Sequence, residues 1–295
     1  MHLARFFAGT SAAGAVSSDG ISEGRHSMGV YQVLRSLRRA ASNRVALPLR
    51  AGWNRLLALT PAAPGFVGAF PDHATAMAHV PKGRLAGYDH DAVADTSFLR
   101  MCEVQSHDYP VLYWLQRHLR PGQHVLDYGG HMGTKYIAFA PYLPLDEVEW
   151  TVIDLPAIMG AAVARQAAGQ VPAGIRFLSD PAAAGPADIL LASGLFQYLD
   201  VPLATLFARL GQRPRVAIFN KVATREGPSV TTLERIGPAR VPYQFRNRAG
   251  FEAEIAALGY RIVDRWDIPA LSHVIDTHPA LGPSRSLGYV LERDG

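Results

Sequence analysis

The sequence predicts an α/β protein. Its core is a seven-stranded sheet, mostly parallel with a C-terminal antiparallel strand, flanked by helices and preceded by an N-terminal helical extension. Three observations carry this expectation. From His124 onward, short apolar runs alternate with helix-length segments, as parallel strands joined by crossover helices require. The first run, Val125-Leu126, ends in Asp127 and a cluster of glycines, Gly129, Gly130 and Gly133, that leads into a helix. The last two runs, 260–266 and 286–291, have only the loop 269–285 between them. That leaves no room for a crossover helix, so they should pair antiparallel.

Composition narrows the class. Apolar residues make up 48% of the chain and charged residues 18%, the balance of a globular protein with an ample core. No run of about 18 uninterrupted apolar residues occurs, so no membrane span is expected. The single Cys102 excludes an internal disulfide framework and a cysteine metal cluster, and fits a reducing, cytoplasmic setting. It sits in Phe98-Leu99-Arg100-Met101-Cys102 and reads as semi-buried helix filler rather than a nucleophile. The net charge of +4 is unevenly spread. Residues 1–71 hold eight Arg against Asp19 and Glu23, while the remainder is −2. No basic stripe marks the main domain, which argues against a nucleic-acid partner.

In chain order, residues 1–27 are rich in Ala, Gly and Ser without periodicity and read as disordered. Phe6-Phe7-Ala8 behind Arg5 resembles the start of a signal peptide, but Thr10-Ser11 ends the apolar stretch too early; Met28 is a second candidate start. Val33, Leu34, Leu37, Ala40 and Ala41 lie at helical spacing among arginines. After Pro48, residues Trp53, Leu56 and Leu57 suggest a second helical piece. This basic arm is expected to pack on the main domain, with weak contact to an anionic membrane surface as the alternative. A Pro/Gly linker, 60–65, separates the arm, 1–65, from the main domain, 66–295. There, Asp72 is a candidate N-cap for a short helix, a helix is expected over about 92–102, and Asp108-Tyr109-Pro110 opens another over 111–119. Strands follow at about 148–153, 175–178, 187–193 and 216–219, with helices at 157–168, 203–210 and 249–258. The stretch 224–243, punctuated by Pro and Gly, reads as a loop or cap rather than sheet.

The glycine turn is the chemical centre. Strand, glycine turn and helix together bring bare backbone N–H groups to a ligand, and a Cβ would block both the turn and the approach. A pyrophosphate would be repelled by Asp127, separated from the first glycine by Tyr128 alone. A carboxylate there suits a ligand with an ammonium group, such as the amino-acid end of S-adenosylmethionine. Asp154 ends the next strand about twenty residues beyond the last glycine, where an acid commonly holds ribose hydroxyls.

From about Phe70 to its end, the chain resembles a family of bacterial S-adenosylmethionine-dependent methyltransferases with the class I, Rossmann-like fold. The resemblance is carried by Gly87-Tyr88-Asp89, Asp108-Tyr109-Pro110, Asp127 to Thr134, Trp150 to Pro156 and Leu190 to Leu199. It implies S-adenosyl-L-methionine as cofactor and transfer of a methyl group to oxygen or nitrogen of a small-molecule or glycan acceptor. By position, Asp127, Gly129, Gly130 and Gly133 would surround the methionine moiety, Asp154 would take the ribose, and Leu155 would lie against the adenine. Asp180 would sit near the adenine amino group, with Ser193 beside the sulfonium. His131 stands where the class pattern has a glycine. It either substitutes a side-chain contact, points into the substrate cavity, or faces solvent.

Methyl transfer asks mainly for positioning and desolvation, with a general base needed for a hydroxyl or ammonium acceptor. The candidates for catalysis are His131, Tyr198, Lys221 and His273, with Gln197 and Asn220 also at strand ends. His273, Asp276 and His278 have metal-ligand residue types, but their spacing on one loop is unspecific and no metal is expected. Two rival readings are a nicotinamide-dependent oxidoreductase and a catalytically silent protein that keeps the fold for binding.

Overall fold

The structure is a computed structural model that describes residues 46–60, 62–90 and 98–293. The expected disorder of 1–27, the candidate start Met28, the arginine-rich helix over 31–41 and the first part of the helix expected at 92–102 lie outside the described residues. Two compact units are present, Met1–Leu49 and Arg50–Gly295. Of the first, residues 46–49 are described and are helical. In the second, residues 50–57 are helical (α1). α1 is tied to a distant loop: Asn54 Nδ2 donates to the Asp276 carbonyl (2.9 Å) and Arg55 Nε to the Thr277 carbonyl (3.2 Å). Among the described residues, no helix is long and apolar enough to cross a membrane.

The strands are β1 (Phe66–Phe70), β2 (Leu85–Ala86), β3 (His124–Tyr128), β4 (Glu149–Ile153), β5 (Ile175–Leu178), β6 (Ile189–Ser193), β7 (Val216–Arg225), β8 (Val230–Ile236), β9 (Ala239–Asn247), β10 (Arg261–Asp267) and β11 (Arg285–Glu292). The helices are α2 (His73–Ala78), α3 (Phe98–Met101), α4 (Tyr109–His118), α5 (Thr134–Phe139), α6 (Pro156–Ala167), α7 (Leu203–Ala208) and α8 (Arg248–Ala257). The expected N-cap is formed, with Asp72 accepting from the Thr75 N–H at 2.6 Å.

The seven-stranded core runs β5-β4-β3-β6-β7-β11-β10. The pairs among β3 to β7 are parallel, and β11 alone runs against its neighbours. This is the class I methyltransferase-like arrangement, with the C-terminal antiparallel pair where the loop length placed it. Because side chains alternate across a strand, adjacent residues feed opposite layers. Val125, Leu191 and Ile218 pack under α4, α5 and α6 with Leu115, Phe139 and Ile158. Their neighbours Leu126, Leu190 and Phe219 pack under α7 and α8 with Leu206, Phe207 and Phe251.

Beyond that core, the expectation for 224–243 is overturned in part. The segment is a cap, but one made of sheet. β8 and β9 form an antiparallel hairpin, with β1 antiparallel on the far side of β8 and β2 parallel to the start of β9. The Pro and Gly residues that suggested a loop sit where a hairpin tolerates them. Gly237 (φ +52°) and Pro238 make a two-residue turn between Ile236 and Ala239. Pro242 pairs with Leu233 on one side. On its other edge, β9 is joined to β2 at 239–240 and to β7 at 246–247, so no partner misses the N–H that Pro242 lacks. β7 also runs past its expected end at Phe219. It carries a β-bulge in which Asn220 and Lys221 together oppose Gly288, with Lys221 at φ +60°. Bulges of this kind turn a side chain out of the regular pleat.

Candidate functional site

A cavity of about 720 Å³ opens at the carboxyl ends of β3, β4 and β6, between the glycine turn and the cap sheet. The turn itself is built as the sequence suggests. Gly129 (φ +74°) leaves β3 with its N–H donating to the Ile153 carbonyl at 2.7 Å. A Cβ at this position would meet the Leu195 side chain at 2.9 Å. Gly130 lies directly over the Asp127 carboxyl, which a Cβ there would approach to 2.5 Å. Gly133 (φ +75°) starts α5, but it serves packing, since a Cβ would strike Ile175 at 2.7 Å.

Asp127 is wholly buried beneath this turn, and neither of its oxygens closes a hydrogen bond. The Trp150 indole is near enough to act on the carboxyl, but its Nε1 does not complete a bond either. Burial pushes the Asp127 pKa up to about 7, against the opposing charge of Lys135. Asp154 has a structural task invisible in the sequence. Its two oxygens accept from the N–H groups of His131 and Leu155, both at 2.8 Å, which pins the glycine turn to the end of β4. Burial raises its pKa, and those two backbone donors lower it in part. Asp154 and Leu155 both line the cavity.

His131 is held at φ +55° and is only 4% exposed, so it does not face solvent. It forms part of the cavity wall, in a backbone region that a glycine would occupy at lower cost.

The opposite wall comes from the end of β6 and the short turn after it: Ser193, Gly194, Gln197 and Tyr198. The Gln197 side chain is buried, with Oε1 lacking a partner. Lys221, turned out by the bulge, reaches the same wall beside Gly194. Burial and the neighbouring charge of Lys135 push its pKa down to about 8. Behind it runs a network that the sequence reading missed. Lys135 Nζ lies 2.7 Å from Asp108 Oδ2, both buried. Asn220 Nδ2 donates to Asp108 Oδ1 (3.3 Å) and Ser193 Oγ (3.4 Å). In the sequence Asp108 was legible as a helix start and as part of the family resemblance, with no role at the site.

Tyr198 donates its hydroxyl to Glu234 Oε2 at 2.8 Å. Its ring lies 5.3 Å from Tyr88 and 5.5 Å from Tyr243. Burial pushes Glu234 up to about 7 and Tyr88 up to about 12. Tyr198 and Tyr243 are raised further for the same reason. Glu234 lies on β8, inside the stretch read from sequence as loop or cap, where nothing local marks it.

Two sequence candidates stand elsewhere. The exposed Asp180 caps a single turn by accepting from the Ala182 N–H at 3.0 Å, and it does not line the cavity. His273 packs against Phe66 in a tilted ring contact at a centroid distance of 4.7 Å, also outside the cavity. On the same loop, the Asp276 carboxylate accepts from the Phe66 N–H (3.4 Å), and His278 Nδ1 lies 2.9 Å from Thr277 Oγ1. These contacts organise the loop. Among the described residues, no group of three His, Cys, Asp or Glu could hold a metal. Burial raises the Cys102 thiol pKa, which agrees with inert filler.

No protein-family model matches the sequence, and no curated protein matches it. Solved structures with a similar fold include three methyltransferases. A 1,6-didemethyltoxoflavin-N1-methyltransferase from Burkholderia thailandensis, with bound 1,6-didemethyltoxoflavin and S-adenosylhomocysteine, is 20% identical, covering 64% of this chain and 79% of its own, with a TM-score of 0.41. A magnesium protoporphyrin IX methyltransferase from Synechocystis, with bound S-adenosylmethionine, is 15% identical over 63% and 77%, with a TM-score of 0.41. An S-adenosylmethionine-dependent methyltransferase from Clostridium acetobutylicum is 13% identical over 68% and 96%, with a TM-score of 0.42. At such distances the fold rests on the strand order above, and the site on its own residues.

Proposed function

We propose that the protein is an S-adenosylmethionine-dependent methyltransferase acting on a small molecule. The observation that carries this reading is the buried Asp127 carboxyl without a hydrogen-bond partner, directly beneath the cavity-lining Gly130. An unpartnered buried acid is costly, and an ammonium group on the ligand side of the turn would offset that cost. The residues therefore fit the amino-acid end of the cofactor, which would supply an activated methyl group. Gly129 and Gly130 admit it, and Asp154 on the cavity wall offers remaining lone pairs to ribose hydroxyls. Ser193 at the end of β6 and Leu195 beside Gly129 continue the lining. Asp180 is assigned no contact here, because it does not line the cavity and one of its oxygens caps the turn that follows it.

The cavity's size suits small ligands rather than a polymer, and it is roofed by Val241 and Pro242 of the cap sheet and by Tyr88 from the bend after β2. Such a roof excludes water from the reacting centre, a principal task of the protein in methyl transfer. Isothermal calorimetry tests the reading. S-adenosylmethionine and S-adenosylhomocysteine should bind in about the micromolar range and NAD should not. Binding of NAD alone would replace this reading with an oxidoreductase, and binding of neither would leave a scaffold.

A further inference from the structure

We infer that Tyr198 and Glu234 form a proton relay at the acceptor end of the cavity, and that the acceptor is an uncharged hydroxyl compound with an aromatic ring, methylated on oxygen. This rests on the methyltransferase reading above.

The placement is specific. Tyr198 belongs to the cavity wall just beyond Ser193 and Gly194, and its hydroxyl ends on Glu234 Oε2 at 2.8 Å. Glu234 pairs with Val241 across the β8–β9 ladder, whereas the next pair is Arg235 with Arg240. Alternation puts those arginines on the other face of the cap sheet. A largely buried carboxylate kept for structure normally has a cation or several donors; among the described residues, Glu234 has the Tyr198 hydroxyl as its hydrogen-bond partner. The groups facing Glu234 are the hydroxyls of Tyr198, Tyr88 and Tyr243, all held in their neutral form by burial. Glu234 itself is poised near neutrality, where a base both takes and returns a proton.

The ring walls of Tyr88 and Tyr198 suit an aromatic acceptor. Lys221 on the cavity wall, next to the Asp108-paired Lys135, disfavours a cationic amine. In the transfer, the acceptor oxygen bonds to the methyl carbon while the carbon–sulfur bond breaks and its electron pair remains on sulfur. The acceptor proton passes to Tyr198 Oη as the Tyr198 proton passes to Glu234 Oε2. A sulfonium and a carboxylate thereby become a neutral thioether and a carboxylic acid, and the latter returns its proton to solvent after product leaves.

The test uses 4-nitrophenol, whose ionised form absorbs in the visible, titrated into the full chain near neutral pH with and without S-adenosylhomocysteine. The wild type should bind the probe and raise its ionised fraction above that in solution. Glu234→Gln and Tyr198→Phe should bind it with that fraction lowered about tenfold or more, and Glu234→Asp should recover part of it. Melting curves on each variant identify loss of fold, and the Glu234→Asp comparison remains decisive in that event. Absence of probe binding, or equal ionisation in Glu234→Gln, would overturn the relay. Calorimetry with S-adenosylhomocysteine on the same samples reports separately on the cofactor reading, because Glu234→Gln should leave that affinity unchanged.

Discussion

Replacing Asp127 by Asn should move stability and cofactor affinity in opposite directions. The carboxyl is fully buried, and burial raises its pKa from 3.8 to about 7. Well below pH 3.8 the group is protonated in folded and unfolded chains alike, and no stability is lost. As pH rises, the unfolded chain ionises first, so stability falls until the folded group ionises near pH 7, and the cost is constant above that. Three units at about 1.4 kcal/mol each give a cost on the order of 4 kcal/mol at pH 8. Asn does not ionise. Asp127→Asn should therefore melt higher than wild type at pH 8 and nearly equal to it at pH 4. Binding behaves differently, because an ammonium ligand favours the ionised carboxylate. Below pH 7 the complex must form with release of a proton, so affinity should fall by about tenfold per pH unit. Asp127→Asn should lose both the affinity and its pH dependence. Calorimetry at pH 6, 7 and 8, in buffers of different protonation enthalpy, measures affinity and proton release together. A less stable Asn variant at pH 8, or a flat affinity from pH 6 to 8, would refute the reasoning.

Other substitutions separate the parts of the site. Asp154→Ala removes the acceptor for the His131 and Leu155 N–H groups as well as the proposed ribose contact; affinity should weaken by about 1–3 kcal/mol with the fold retained, and unchanged calorimetric affinity would remove Asp154 from the site. Gly129→Val forces a β-branched residue to φ +74° and a Cβ to within 2.9 Å of Leu195, so both melting temperature and cofactor binding should drop more than in Asp154→Ala. A chain beginning at Phe66 should still bind cofactor, but it loses the Asn54 and Arg55 bonds to the 276–277 carbonyls. Its melting temperature should fall below that of a chain beginning at Arg50. If the shorter chain is insoluble, α1 is part of the fold and the arm cannot be divided from the domain at 65.

What the sequence determined by itself was local. The alternation of apolar runs with helices, the loop too short for a crossover, and an acid ahead of three glycines each depend on residues close in the chain. Accordingly, the seven-stranded core and the turn under Gly129 and Gly130 were legible. His131 was visible as a departure from glycine, but only its 4% exposure separated a cavity-wall residue from a solvent-facing one. The tertiary structure decided the other half of the site. Glu234 acquires its place because β8 is clasped between β1 and β9, and its partner Tyr198 comes from the short turn after β6. Lys221 enters the cavity through a bulge opposite Gly288, which belongs to a strand more than sixty residues away. Asp180 and His273 had suitable residue types, yet neither lines the cavity; one caps a turn and the other packs against the Phe66 ring. Sequence patterns report the period of a strand and the demands of a turn. Burial, and the raised acids Asp127 and Glu234 that follow from it, come from what distant segments place around a side chain.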